Sequence, residues 1–266
     1  MVQLVFGLEG RVDAGRLRGA AEALLVRYPQ VGARFVVRGE GDPVQVVPVG
    51  VELPWREVDL RGSGVALEGV VVEERCRRFD VSRSPLLRFV LVRLGAERYS
   101  LVLTVHHLVV DGWSVPLLVR DLFVLYGSGG EGVGLLPRVV PYREYLVWLA
   151  GRDRGVSRGV WGSALAGVEG GCRLVGGVPG GGGAVVPEQV VSGLPVGLSG
   201  RLGVGARARG LTVNTLVQGA WAVLLGVLTG RDDVVFGSTV SGRPPELAGV
   251  ESMVGLFINT VPVRVR

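Results

Sequence analysis

The sequence predicts a mixed chain of class α/β (α+β), folded as two lobes of which the second is cut short. Three observations carry that expectation. Short Val- and Leu-rich runs of strand composition alternate with segments whose apolar residues recur at helical spacing. A glycine-rich stretch over 169–184 has no periodicity and interrupts the alternation as a linker would. The chain then stops inside a strand-like run, Val263-Arg264-Val265-Arg266, with nothing after it to cover an edge. The expected divisions are a first lobe over 1–168, the linker 169–184 and a partial second lobe over 185–266.

The elements follow in order. Val2 to Leu8 is a β-type run. Asp13 stands where a helix N-cap belongs, and Leu17, Ala20, Ala21, Leu24 and Leu25 repeat at helical spacing until Pro29 stops them. Ala33 to Val37 and Val44 to Val49 read as strands joined by Gly39, Gly41, Asp42 and Pro43. Ala66 to Phe79 reads as a helix with Glu73, Glu74, Arg77 and Arg78 on its outer face. Leu86 to Leu94 and Tyr99 to His107 form a hairpin around Gly95-Ala96-Glu97-Arg98. Helices follow over Val115 to Tyr126 and after Pro141, the latter carrying Tyr145, Trp148 and Leu149. Beyond the linker come a strand (Val185 to Val191), a helix after Ser199, a long helix from Thr212 to Leu228, and strand-like runs over Asp233 to Val240 and Gly255 to Val265. Trp148, Trp161 and Trp221 read as core.

Composition narrows the function classes. The net charge is +5, yet all 29 basic residues are arginine and they are scattered, without the basic stripe or aromatic platform that nucleic-acid binding needs. With 44 glycines and a single isoleucine, Ile258, the charge reflects biased codon usage rather than a nucleic-acid partner. Cys76 and Cys172 match no metal spacing, so neither a metal site nor a disulfide framework is expected. The longest apolar run, Val217 to Leu228, is interrupted by Gln218 and Gly219 and is too short for a bilayer, and the N-terminus lacks a secretion signal. A soluble, cytoplasmic protein with no membrane partner is the expectation.

The chain's two histidines are adjacent, His106 and His107, at the end of the apolar run Leu101-Val-Leu-Thr-Val105. Successive strand side chains point to opposite faces, so one imidazole can face a cleft while the other packs inward. Imidazole exchanges a proton near neutral pH or orients an amine. A polar strand terminus with no chemistry explains the pair equally well until the spacing His-His-x-x-x-Asp-Gly is considered.

His106-His107-Leu-Val-Val-Asp111-Gly112-Trp113-Ser114 resembles the HHxxxDG signature of condensation domains of non-ribosomal peptide synthetases, a branch of the chloramphenicol-acetyltransferase-like acyltransferases. Other stretches agree in order: Arg27-Tyr28-Pro29 with Arg34-Phe35; Phe79-Asp80 with Pro85-Leu86-Leu87-Arg88; Asp232-Asp233 through Ser241-Gly242-Arg243-Pro244; and Val254-Gly255 through Asn259-Thr260 to Arg264. Tyr28 stands where the family usually carries His, and Val31-Gly32 where it carries Leu-Arg. An opening glutamine-containing segment and the rest of the second lobe are missing, so the chain resembles a domain incomplete at both ends.

The resemblance implies two chloramphenicol-acetyltransferase-like lobes, the second truncated, around a tunnel. Upstream and downstream peptidyl carrier proteins would present thioesters there on phosphopantetheine arms, beside synthetase domains such as an adenylation domain, as in antibiotic biosynthesis. The chain itself would bind no cofactor. His107 would be the catalytic residue, with His106 packing beside it. Asp111 reads as architectural, because a buried carboxylate needs a partner and a distant arginine such as Arg243 fits. Gly112 leaves room for a close approach. Trp113 suits core or tunnel lining, Ser114 a helix cap or the tunnel, and Asn259 the tunnel or its own backbone. Since the tunnel needs both lobes, the chain by itself is expected to be a poor enzyme. A related epimerisation or coenzyme A-dependent acyltransferase domain, and a non-catalytic module that recruits carrier proteins, are the competing readings.

Overall fold

Two Val- and Leu-rich runs, Leu87–Arg93 and Arg98–Val105, are the middle strands of the main sheet and are buried along nearly their whole length. Near-continuous hydrophobicity is what a strand covered on both faces requires. The computed structural model describes residues 1–129, 134–172, 174 and 190–266. Its strands are β1 (Val2–Glu9), β2 (Arg34–Val37), β3 (Pro43–Val46), β4 (Trp55–Asp59), β5 (Leu87–Arg93), β6 (Arg98–Val105), β7 (Val234–Val240) and β8 (Asn259–Val265). Its helices are α1 (Ala14–Arg27), α2 (Leu67–Cys76), α3 (Ser114–Gly127), α4 (Tyr142–Ala150), α5 (Arg154–Ala164), α6 (Val196–Arg207) and α7 (Val213–Thr229).

The main sheet has four strands in the order β1-β6-β5-β4. β6 pairs antiparallel with both β1 and β5, whereas β4 runs parallel to β5. A parallel pair needs a crossover, and α2 supplies it. Leu17, Leu24, Leu118 and Leu122 of α1 and α3 pack on Leu87, Phe89 and Leu103 of one sheet face. Val70 of α2 packs on Val90, Val92 and Val102 of the other. Asp13 caps α1 by accepting from the Arg16 N–H at 2.9 Å, as its position in the sequence predicts.

Several expectations are corrected. β4 is not legible in the sequence, because Arg56, Glu57 and Asp59 make it read as a polar loop; it is a sheet edge, where charged side chains discourage further pairing. Glu74 is not on the outer face of α2 but fully buried, held by Arg88 of β5 at 2.6 Å. β6 ends at Val105, so both histidines lie just past the ladder.

The chain forms two compact units. The first joins Met1–Arg152 to Ser241–Ile258, and the second joins Asp153–Val240 to Asn259–Arg266. The expected boundary at 168 therefore moves: α5 goes with the second unit, and the segment 241–258 returns to the first. There Val250, Met253 and Phe257 are buried with Tyr145, and Gln30 Nε2 donates to the Val254 carbonyl at 2.7 Å. In the second unit, Ala222, Leu225 and Val234 pack with Phe236 and Val265 around the antiparallel β7–β8 pair. α7 starts at Thr212, whose side chain accepts from Thr215 N–H, and ends at Gly230 in the left-handed conformation that lets the chain leave a helix.

α5 escapes a reading by pattern because its glycines and serines are weak helix formers. The helix expected after Ser199 begins at Val196, and β8 begins at Asn259 rather than Gly255. Trp161 and Trp221 are exposed, at 39% and 42%, not core; Trp148 is half-buried, stacked on Tyr145. Of the strand expected over 185–191, residues 185–189 lie outside the described residues, and Val190 and Val191 are exposed without regular structure. Most of the linker expected over 169–184 also lies outside them.

Candidate active site

Where β6 stops, the backbone turns on His106. Its N–H donates to the Leu86 carbonyl at 2.8 Å, one bond beyond the strand, and its carbonyl accepts from Val109 N–H at 3.2 Å. Its Nδ1 accepts from Leu108 N–H at 3.1 Å, so the neutral ring carries its proton on Nε2. The ring lies perpendicular to Phe79, with centroids 6.0 Å apart. Burial, with smaller contributions from the amino terminus and His107, holds the His106 imidazole below its ordinary pKa. His107 is also half-buried, and its side chain hydrogen-bonds to none of the described residues. The two rings therefore differ through the turn that holds them, not through strand alternation, since neither belongs to the strand.

Four residues on, Asp111 is fully buried and every part of it is bonded. Its N–H donates to the Gly255 carbonyl at 3.0 Å. Oδ1 accepts from Ser114 N–H at 2.8 Å and from Arg243 Nη2 at 3.4 Å, and Oδ2 accepts from Phe257 N–H at 3.0 Å. Ser114 Oγ lies 2.8 Å from both Asp111 Oδ1 and the Gly255 carbonyl and accepts from Gly255 N–H and Arg243 Nη2 at 3.0 Å each. Burial, the largest single influence, pushes the Asp111 carboxyl up. The Ser114 hydroxyl and N–H, the Phe257 N–H and the Arg243 charge together outweigh it, and the net shift is down. Asp111 thus stays ionised while it ties the turn and the start of α3 to the segment 241–258.

Arg243 is the other end of this lock. Nη1 donates to the carbonyls of Val250 and Met253, and the guanidinium lies 3.8 Å from the Phe257 ring centroid. Gly242 and Gly255 permit the close packing: a Cβ on Gly242 would strike the Phe257 carbonyl, and one on Gly255 the Tyr142 ring.

The remaining candidates divide. Ser114 does not cap α3, because its hydroxyl is turned to Gly255; Asp111 serves the helix start instead. Trp113 is 54% exposed, not core, and its Nε1 donates to the Glu251 carbonyl at 2.9 Å. No described atom beyond its chain neighbours comes within 4 Å of where a Gly112 Cβ would stand, so the chain's own packing leaves that space free. Asn259 belongs to the second unit, where its Oδ1 accepts from Thr260 N–H at 2.8 Å. Sequence reasoning missed Phe79, Gly255 and Phe257 as parts of the site. A signal existed for the first: Arg88, the one charge in the middle of an apolar strand, demands a buried neighbourhood.

The arrangement can accept a proton at a half-buried imidazole whose loop is pinned on both sides, by His106 before it and Asp111 after it. The condensation-domain family model matches residues 1–266. The chain is 38% identical over 275 residues to a linear gramicidin synthase polypeptide of Brevibacillus parabrevis, a match that covers 100% of this chain and 4% of that protein. It is similar to SgcC5 from Streptomyces globisporus, with a TM-score of 0.71 and 26% identity over 98% of this chain and 61% of that one. The first condensation domain of the calcium-dependent antibiotic synthetase matches with a TM-score of 0.70 and 25% identity, over 98% of this chain and 64% of that one.

Proposed function

The chain belongs to the condensation-domain family, and from that membership we propose that it forms amide bonds in non-ribosomal peptide synthesis. The observation that carries this is the complete signature built into one locked turn, with His107 between the anchored His106 and the buried Asp111–Arg243 pair. The donor is an acyl or peptidyl thioester on an upstream carrier protein, and the acceptor is an aminoacyl thioester on a downstream one. Their phosphopantetheine arms belong to the carriers, and the chain holds no cofactor of its own in this reading.

The acceptor amine attacks the thioester carbonyl carbon, the C–N bond forms, and the C–S bond breaks to release the upstream thiol. The proton the amine loses, taken or positioned by His107, ends on the departing thiolate. General-base help of this kind typically contributes roughly 100- to 10,000-fold, and bringing both arms to one point contributes further through effective concentration. His106, Asp111, Gly112 and Arg243 hold the geometry, while Trp113 and Ser114 contribute to the surroundings. The relatives are long synthetase polypeptides of which this chain spans a few per cent, which supports carrier and adenylation domains as its neighbours. Among the described residues, no helix is long and apolar enough to cross a membrane.

The test mixes the chain, and a version extended to the length of the solved relatives, with a panel of donor carriers bearing N-acylated aminoacyl thioesters and acceptor carriers bearing aminoacyl thioesters. Mass spectrometry of the acceptor carrier should show the joined product. Loaded carriers that are bound but never joined by either version would overturn the reading in favour of a recruitment module.

A further inference from the structure

The strongest organised feature outside the signature is a stack of Arg88, Phe79 and His106. Arg88 is buried, and its guanidinium is held through two of its three nitrogens: Nε donates to Glu74 Oε2 at 2.6 Å, and Nη2 donates to the carbonyls of Glu74 and Arg77 at 2.6 Å each. So held, the guanidinium lies 4.2 Å from the centroid of the Phe79 ring. Phe79 also meets the His106 ring at close to a right angle, with centroids 6.0 Å apart. A buried ion pair is costly to build and seldom stabilises more than apolar residues of the same volume would. Here it fixes one aromatic ring against one histidine.

The consequence runs through His106. Its ring is oriented by two contacts, the Leu108 N–H and Phe79. His107 has no side-chain hydrogen bond to any described residue, so its direction is set by the backbone of the turn. That backbone is fastened on the N-terminal side by His106, through its N–H to Leu86, its carbonyl to Val109 and its Nδ1 to Leu108. We infer that Phe79, clamped by the Arg88–Glu74 pair, is a positioning residue for the condensation reaction: it holds the His106 ring in the rotamer that keeps Nδ1 on the Leu108 N–H, and thereby sets the angle at which His107 meets the acceptor amine. The inference rests on the condensation reading for its kinetic part. Its structural part, the state of the His106 ring, stands independently.

The experiment uses both parts. Phe79→Leu keeps an apolar side chain but removes the ring, and Phe79→Tyr keeps the ring. Protein labelled with ¹⁵N-histidine gives two imidazoles only, assigned through His107→Ala. The parent should show His106 with a proton on Nε2 and a bare Nδ1; Phe79→Leu should show an exchanging mixture of tautomers, and Phe79→Tyr the parent pattern. With loaded carriers, Phe79→Leu should lower kcat about tenfold with KM for both carriers unchanged, since a 1 Å misplacement costs on the order of 100-fold, and Phe79→Tyr should restore it. Should Phe79→Leu fail to fold, the pair Glu74→Leu with Arg88→Met, which frees the ring without leaving a charge, takes its place. A parent that never condenses but shows the expected tautomer sinks the condensation reading and leaves the positioning of His106 standing. A variant with the parent's tautomer and the parent's kcat overturns the inference.

Discussion

At the scale of single residues, the site separates a group that reacts from groups that hold. His107 is free of side-chain hydrogen bonds within the described residues, while Asp111 is saturated with them. His107→Ala should therefore lower amide formation at least about 100-fold and leave the melting temperature unchanged, read by product formation and thermal unfolding. Asp111→Asn should behave oppositely in stability, costing roughly 3–5 kcal/mol by leaving Arg243 buried without its partner. The pH dependence follows from the direction of the shift. The folded carboxyl titrates below its ordinary value of 3.8, so its stabilisation is present above that pH and is lost as pH falls through the lower folded value. Urea unfolding of the parent and Asp111→Asn should thus differ most near neutral pH, and the gap should narrow as the pH falls below 3.8. A constant gap across that range would remove Asp111 from the lock. Tyr28 shows the same economy elsewhere: its hydroxyl donates to buried Asp121 at 2.6 Å, and burial, followed by that bond, pushes its pKa up to about 12. A tyrosine thereby does the bonding where the family usually carries histidine.

Between elements, two kinds of join matter. The first is ionic, α2 to β5 through Glu74 and Arg88. Glu74→Gln should destabilise the chain by about 3 kcal/mol because Arg88 keeps its buried charge, and combining Glu74→Leu with Arg88→Met should recover most of that loss; chemical denaturation of the single and double variants measures it. The second is steric, the segment 241–258 against α4. Tyr145 packs 4.6 Å from Phe257, and Tyr142 donates to the Leu256 carbonyl at 2.6 Å. Gly242→Ala would drive a methyl group into the Phe257 backbone, which cannot swing aside as a side chain can, and should cost more than about 2 kcal/mol. Thermal unfolding close to the parent's for Gly242→Ala would show that the segment shifts easily. The sequence pattern announced most of these elements but not these joins, because amphipathic spacing reports which face is apolar and not which polar residue crosses to another element.

For the molecule as a whole, the first unit is discontinuous in sequence, and its signature is completed by residues more than a hundred positions downstream. A chain ended at 240 should keep the four-stranded sheet but lose the partners of Asp111, Ser114 and Gln30 together. Hydrogen exchange should then show amides around 106–114 unprotected while those of β5 and β6 stay slow. Equal protection in the two chains would mean that the turn holds itself.

What the sequence alone determined here is local or period-bound. Asp13 as a cap, the β5–β6 hairpin, the α1 and α3 apolar faces and the His-His-x-x-x-Asp-Gly signature each depend on residues a few positions apart, and each was legible for that reason. Even the partner of Asp111 was within reach, since a carboxylate in an apolar setting demands a cation. Tertiary structure alone decided which charges went inside. Glu74 looks like any solvated helix residue until Arg88 of a neighbouring strand lies beneath it. The same holds for the strand β4, whose charged residues suit an edge only once a sheet exists to have one. The division between His106 and His107 also belongs to the fold: it comes from a turn closed by Leu86, Leu108 and Val109 and from an aromatic ring clamped by a distant ion pair. Spacing in the chain encodes the faces of helices and strands, whereas the balance between desolvation and pairing is settled only when distant segments meet.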